Sequence, residues 1–207
     1  MSKKSIFLYF FLLLKLVLPL LLIDAAYELH RDEYLHLDQA KHLSWGFYSV
    51  PPLTSILSWL ILQLGNNAFL VKFFPALFGA LTLLVVWKTI ELLRGNLFAL
   101  SLGAISIIFS AITRINILFQ PNSLDILCWT LFYFTIAKYI RSEKIIWLLY
   151  ASTVFALGFY NKYNIVFLIL GILPAIILSH HRKVFKNPSF STIILIALLL
   201  ISPNIIW

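Results

Sequence analysis

From Ile6 to Ile23 the chain runs apolar with one interruption, Lys15. A helix of about 20 residues crosses the hydrocarbon core of a bilayer, so this run is long enough to span. Runs of the same kind follow at about Val71–Leu93, Leu97–Ile112, Ser123–Ile140, Ile145–Tyr160 and Ile165–Ser179, and another starts near Phe190. Charged residues make up only 12% of the 207 positions and hydrophobic ones 61%, where a soluble domain carries about 25% charge. The expected fold is an all-α integral membrane protein, a polytopic helical bundle with about seven transmembrane helices. Residues 1–207 read as a single membrane domain, with no soluble domain, repeat or low-complexity tract. The lone cysteine, Cys128, sits inside an apolar run and reads as a small buried hydrophobe, so there is no disulfide framework.

The basic start Lys3-Lys4 ahead of an apolar run is the pattern of a signal peptide, with Ala25-Ala26 the nearest cleavage candidate. The run is longer than a signal core, so it reads as a retained first helix with its N-terminus in the cytoplasm. After Pro51-Pro52, which suits a helix start, the stretch Leu53–Leu64 has 12 residues and is too short to span. With that stretch on the outer surface, ten Lys and Arg fall on the cytoplasmic side and five outside: Arg31, Lys41, Lys72, Arg114 and Lys162. Letting it span reverses the ratio. Cytoplasmic loops favour Lys and Arg, so the first arrangement is expected. Residues 24–70 then form a first outer loop carrying amphipathic juxtamembrane helices. The net charge of +8 lies in these short breaks and not on a soluble face, which argues for membrane lipids as neighbours and against nucleic acid.

The outer loop holds the segment His30–Asp38, with the carboxylates Asp32, Glu33 and Asp38. From Asp32 onward Leu37, Ala40, Leu43 and Phe47 recur at helical spacing, which predicts an amphipathic helix lying along the interface. Asp32 and His36, four apart, share a face of it. The topology places six of the eight acids outside: Asp24, Glu28, Asp32, Glu33, Asp38 and Asp125. Glu91 and Glu143 stay inside beside basic residues. Asp125 lies one turn into the fourth span, where a carboxylate needs a partner or a wet cavity; a first-turn acid answering the helix dipole is the plainer account. For Lys162 the plainer account is an interfacial lysine whose stem snorkels. Asp32, Glu33, Asp125 and Lys162 share one depth on one face. Carboxylates with a lysine suit chemistry at a phosphorylated, membrane-bound substrate: a carboxylate serves as general base toward a hydroxyl, and a lysine neutralises phosphate. Two acids, here Asp32 and Asp125, are alternatively ligands of a divalent cation, whose identity the sequence does not give. No Walker loop or Gly-rich dinucleotide turn is present, so no nucleotide cofactor is expected.

The Asp32-Glu33 pair, Trp45-Gly46-Phe47-Tyr48, Pro51-Pro52-Leu53, Phe74-Pro75-Ala76-Leu77-Phe78-Gly79-Ala80, Asn122 to Thr130, Leu157 to Tyr163 and Pro203-Asn204-Ile205-Ile206-Trp207 form an ordered set. That set resembles the membrane-embedded GT-C glycosyltransferases that use polyprenyl-phosphate sugars: protein O-mannosyltransferases, lipid A aminoarabinose transferases and the galacturonosyltransferases of lipopolysaccharide cores. The resemblance implies a polyprenyl-phosphate-linked sugar donor and a lipid, glycan or protein acceptor. It also implies a multi-pass protein of the cytoplasmic (inner) membrane with its active site facing outside. It makes Asp32 catalytic, and matches Asp125 to a further acid of the active-site side and Lys162 to a lysine at the outer end of the fifth span; Glu33 is expected to join Asp32 in catalysis, and Asp125, Lys162, Tyr34 and His36 are the expected substrate contacts. Two departures stand out. Relatives carry a charged residue or histidine directly before Pro-Pro, where Ser49-Val50 stand here. Full relatives also continue through more spans, so this chain looks like the N-terminal half. Two other readings stay open at this point: a transporter or flippase-like protein whose acids bind ions, and a truncated, inactive relative.

Overall fold

A computed structural model describes residues 2–23, 28–48 and 50–207. Asp24, the Ala25-Ala26 pair and Ser49 lie outside the described residues. Ten α-helices account for most of the rest: α1 (Lys3–Leu21), α2 (Arg31–Gln39), α3 (Leu53–Gln63), α4 (Ala68–Leu92), α5 (Leu97–Ile108), α6 (Ile112–Ile115), α7 (Pro121–Ser142), α8 (Ile146–Asn161), α9 (Val166–Ile177) and α10 (Pro188–Ile206). All seven expected apolar segments are helical. Four of them, α1, α4, α7 and α10, are long and apolar enough to cross a membrane. The others are shorter: α5 and α9 have 12 residues each and α8 has 16. After α9 the chain bends by 106° into a basic 3₁₀ segment, His180–Lys186.

Local chemistry sets the helix ends. Asn67 and Asn96 open α4 and α5, their side-chain oxygens accepting from Leu70 N at 2.8 Å and Ala99 N at 3.0 Å. Pro121 and Pro188 occupy first-turn positions of α7 and α10, where a missing amide hydrogen costs nothing. The helices pack around a few apolar clusters. Phe11, Leu83, Trp87, Leu100, Ala104 and Ile108 join α1, α4 and α5, and Cys128, Phe132, Ala151, Ile165 and Leu168 join α7, α8 and α9. A third cluster, Leu37, Ile61, Val71 and Phe119, ties α2 and α3 to the start of α4 and to the segment before α7.

Two expectations need correction. The helix expected from Asp32 to Phe47 stops at Gln39, followed by a 3₁₀ turn over Ala40–His42. Leu37 and Ala40 are buried as expected, but Leu43 is exposed, because the chain leaves the helical path before reaching it. The third span, expected to reach Ile112, ends at Ile108. Lys15 supplies the reason. It is wholly buried in α1 and donates from Nζ to Thr113 Oγ1 at 2.7 Å and to Ile107 O at 3.4 Å. The Thr113 hydroxyl in turn donates to Ile108 O. A cation and a hydroxyl thus satisfy the carbonyls at the C-terminus of α5 and stabilise its negative dipole end.

Both ends of α3 lie at one end of the bundle. Its first turn meets the end of α8, where Thr54 Oγ1 donates to Asn161 Oδ1 at 3.3 Å. Its last turn leads through Gly65-Asn66-Asn67 directly into the start of α4. So α3 lies across that end. It buries a small polar face, Thr54, Ser55 and Ser58, with Ile61.

Candidate functional site

The end of the bundle that carries α2 gathers the starts of α4 and α7 and the end of α8. The first turn of α2 is set by His30, whose Nδ1 accepts from Asp32 N at 3.2 Å, while Glu33 Oε2 accepts from His30 N at 2.7 Å. This reciprocal cap leaves Asp32 in the first helical turn and not at the cap itself. Its side chain keeps a third of its surface exposed. Gln120 Nε2 donates to Asp32 Oδ2 at 2.8 Å, and Arg31 Nε donates to Oδ1 at 3.3 Å.

From Gln120 a chain of side chains runs across the site. Asn122 Nδ2 donates to Gln120 Oε1 at 3.2 Å, and Lys162 Nζ donates to Asn122 Oδ1 at 2.9 Å. Asp32 on α2, Gln120 and Asn122 at the start of α7 and Lys162 at the end of α8 are therefore joined in one network. Lys162 is held there because its amide closes α8, donating to Gly158 O at 2.7 Å. Asn161 Nδ2 also donates to Pro121 O at 2.8 Å. Asp125 lies beside this row, buried, with Oδ2 accepting from Asn164 Nδ2 at 2.9 Å. Asp125 Oδ1, Trp129 Nε1 and Asn164 Oδ1 are buried without a hydrogen-bond partner among the described residues.

Glu33 is placed differently from Asp32. It is wholly buried, and Lys72 Nζ on α4 lies 2.7 Å from each of its oxygens. Phe119 N donates to Oε1 at 2.8 Å, and His30 N occupies Oε2. His36 is buried too, with Nδ1 3.2 Å from Gln39 Oε1, which also accepts from Ser55 Oγ at 2.8 Å. Burial holds the His36 pKa below the usual imidazole value, opposed by the Gln39 hydrogen bond and the Asp32 carboxylate. Tyr34 is exposed and, two residues after Asp32, points to about the opposite side of α2.

Among the described residues no three His, Cys, Asp or Glu side chains converge as a metal site. Asp32 is engaged by Gln120 and Arg31, and Asp125 by Asn164. These residues do not make a ready divalent-cation site.

Sequence reasoning missed Lys72, Gln120, Asn122, Asn161 and Asn164 as working residues. Gln120-Pro121-Asn122 and Asn161-Lys162-Tyr163-Asn164 are visible as polar breaks at helix ends, but nothing local says that they meet. The quoted motifs do converge. Asn204, from the last of them, donates from Nδ2 to Trp45 O at 2.5 Å, and the Trp45 ring packs 6.3 Å from that of Tyr160. Clefts lined by Trp45, Pro203, Ile206 and Trp207 on one side and by Leu43, Trp45 and Ile56 on the other put apolar surface at the same end of the bundle, where Trp45 meets Tyr160, two residues before Lys162.

No curated protein and no solved structure matches the chain. A family model described as dolichyl-phosphate-mannose-protein mannosyltransferase matches residues 49–207, a region that contains Asp125 and Lys162 and begins after Asp32. With about three quarters of its length matched and an all-helical, multi-pass architecture around this polar end, the chain belongs to the dolichyl-phosphate-mannose-protein mannosyltransferase family, membrane glycosyltransferases of the GT-C type.

Proposed function

We propose that the α2 end of the bundle transfers a sugar from a polyprenyl-phosphate donor to a hydroxyl of a lipid, glycan or protein acceptor, at the outer face of the cytoplasmic membrane. One observation carries this reading. A half-exposed carboxylate, Asp32, and a cation, Lys162, from helices far apart in sequence are linked through Gln120 and Asn122, at the end of the bundle that also carries apolar clefts around Trp45. A lipid-linked sugar phosphate needs those parts: hydrocarbon surface for the chain, a cation for the phosphate and a base near the sugar.

In this step the acceptor oxygen bonds to the anomeric carbon of the sugar. The bond from that carbon to the phosphate oxygen breaks, and polyprenyl phosphate leaves with the electron pair. Asp32 takes the acceptor proton, a role that contributes about 100- to 10,000-fold. Lys162 offsets the charge that grows on the leaving phosphate. Asp125 fixes Asn164, two residues from Lys162, and so shapes the donor side of the site. This reading needs no part from Tyr34, which points away from Asp32, or from His36, which is buried against Gln39.

The test is transfer by the full chain reconstituted in vesicles with polyprenyl-phosphate sugars and a panel of lipid, glycan and peptide hydroxyl acceptors, read as release of polyprenyl phosphate that depends on the acceptor. Asp32→Asn removes the base yet leaves the His30–Glu33 cap in place. The expected loss is at least about 100-fold. An Asp32→Asn protein that keeps more than about a tenth of its rate removes Asp32 from the base role.

A further inference from the structure

We propose that Glu33 and Lys72 form a positioning pair that sets Asp32 and Gln120 in register for the transfer step. This rests on the assignment of Asp32 as base. Glu33 itself cannot serve as base: it has no exposed surface, and each of its oxygens already accepts two hydrogen bonds, from Lys72 Nζ and Phe119 N on one and from Lys72 Nζ and His30 N on the other.

What Glu33 does follows from its neighbours in the chain. It is joined to Asp32 by a peptide bond, and it holds the amide of Phe119, which is joined to Gln120. Gln120 returns to Asp32 through its side chain. The result is a closed ring: Asp32, Glu33, Phe119, Gln120 and back to Asp32. Lys72 anchors that ring to α4, and 39 and 86 positions of sequence separate Glu33 from Lys72 and from Phe119. The Phe119 ring is itself buried against Phe74 and Val71 of α4, so the segment has an apolar seat and a polar pin at the same place. A general base must sit within hydrogen-bond reach of the hydroxyl it deprotonates, and an ångström of misplacement costs about 100-fold. A half-exposed aspartate in the first turn of a nine-residue helix has no such precision by itself. The buried pair supplies it from behind, on the face of α2 turned away from substrate.

The test is a double-mutant cycle on the reconstituted full chain, with rates divided by the number of donor-binding sites counted by saturation with labelled polyprenyl-phosphate sugar. That division removes any fall in folded fraction. Glu33→Gln puts an amide hydrogen against one of its present donors and is expected to lower kcat about 10- to 100-fold, with the donor KM unchanged within about threefold. Gln120→Ala, which truncates a half-buried side chain at the head of α7 and leaves the Glu33–Lys72 pair intact, is expected to lower kcat about 10-fold. The double variant Glu33→Gln/Gln120→Ala should be no slower than Glu33→Gln alone, because both act through the placement of Asp32. Losses that multiply, or a Gln120→Ala protein at wild-type rate, overturn the positioning pair; the second result decides even where Glu33→Gln fails to fold. Asp32→Asn separates the two proposals. A fast Asp32→Asn protein overturns the base assignment, whereas an inactive one with multiplying losses in the cycle overturns the positioning pair alone.

Discussion

Replacing Gly158 by alanine tests how closely α7 and α8 must approach to bring Asn122 and Lys162 together. A Cβ at position 158 would lie 2.1 Å from Ile165 Cδ1 and 3.3 Å from Cys128 Cβ. Neither neighbour has free room, since Ile165 is wholly buried and Cys128 nearly so. In a helix interior alanine is favoured over glycine by about 0.8–1 kcal/mol, and overpacking a filled core costs about 1–3 kcal/mol. The net expectation is a destabilisation of about 0–2 kcal/mol. Ile165→Val removes the clashing Cδ1 methyl and by itself costs about 0.5–1.5 kcal/mol. In the double variant the main clash is gone, so the helix gain stands against the lost methyl and stability returns to within about 1 kcal/mol of wild type. The two substitutions should therefore rescue each other by about 1–3 kcal/mol. For a chain of this length that is about 2–4 °C of melting temperature per kcal/mol. The assay is tryptophan fluorescence melting of the detergent-solubilised chain for wild type, both single variants and the double. Melting shifts that simply add, to within about 0.5 kcal/mol, would refute the packing argument. Because the Lys162 amide bonds to Gly158 O, a displaced Gly158 should also weaken donor binding, and Ile165→Val should restore it.

Further outcomes are expected elsewhere. Lys162→Met should weaken donor binding about 10- to 150-fold, the equivalent of one charged hydrogen bond of about 1.5–3 kcal/mol, read by titration with labelled donor; unchanged affinity removes the phosphate role. Asp125→Asn preserves shape and an acceptor for Asn164, so lost transfer with normal expression marks a working carboxylate, and a near wild-type rate marks a first-turn acid answering the α7 dipole. Cysteines placed at Asn66 and Asn96 should differ in intact cells: an impermeant thiol reagent labels the first and spares the second, and the buried Cys128 stays silent. For pH, the folded His36 binds fewer protons than the unfolded chain, since its folded pKa is lowered. Its contribution to stability is full above the unfolded value of about 6.5 and is lost as pH falls below it. His36→Gln should flatten the melting temperature between about pH 7 and pH 5, and an unaltered slope would sink this account.

Hydropathy made the helices legible, and it did so because lipid demands apolar residues all round a spanning segment. The run Leu53–Leu64 was legible too as a helix below spanning length, and it forms α3. What stayed hidden depends on partners distant in sequence. The early stop of α5 is set by Lys15, 98 positions before Thr113. Lys72 looks like one more outer charge until Glu33, 39 positions earlier, is found against it. His30 as the cap of α2 went unread for a local reason: histidine is an uncommon N-cap and sent no signal, although Glu33 three residues on is the usual second half of a capping box. Asp125 was visible as a misplaced charge in an apolar run, but its partner Asn164 lies 39 positions away. Residue types told where chemistry was affordable; only the fold told which of them meet.

The orientation proposed for the site rests on charge and geometry together. The sequence argument divides basic residues by topology alone and gives ten against five. The structure gathers the same groups independently. Arg141 at the end of α7 donates to Leu92 O at the end of α4. Tyr139 packs against His181 of the bent basic segment, and Leu148, Val184 and Ile193 join the start of α8 and α10 to that segment. The start of α1 belongs to this end as well, since Phe11 packs 6.4 Å from Trp87, near the end of α4. So Lys3, Lys4, Lys88, Arg94, Lys138, Arg141 and the His180–Lys186 segment lie at the end opposite α2. Lys72 and Lys162, at the α2 end, are both spoken for, one by Glu33 and one by Asn122. Orientation follows the number of Lys and Arg in short loops, and acids beside them contribute little. Lys72 therefore stays in the tally of the α2 end despite its pairing with Glu33. Even so, the end opposite α2 keeps the larger share of Lys and Arg, which supports the proposal that Asp32 faces outward.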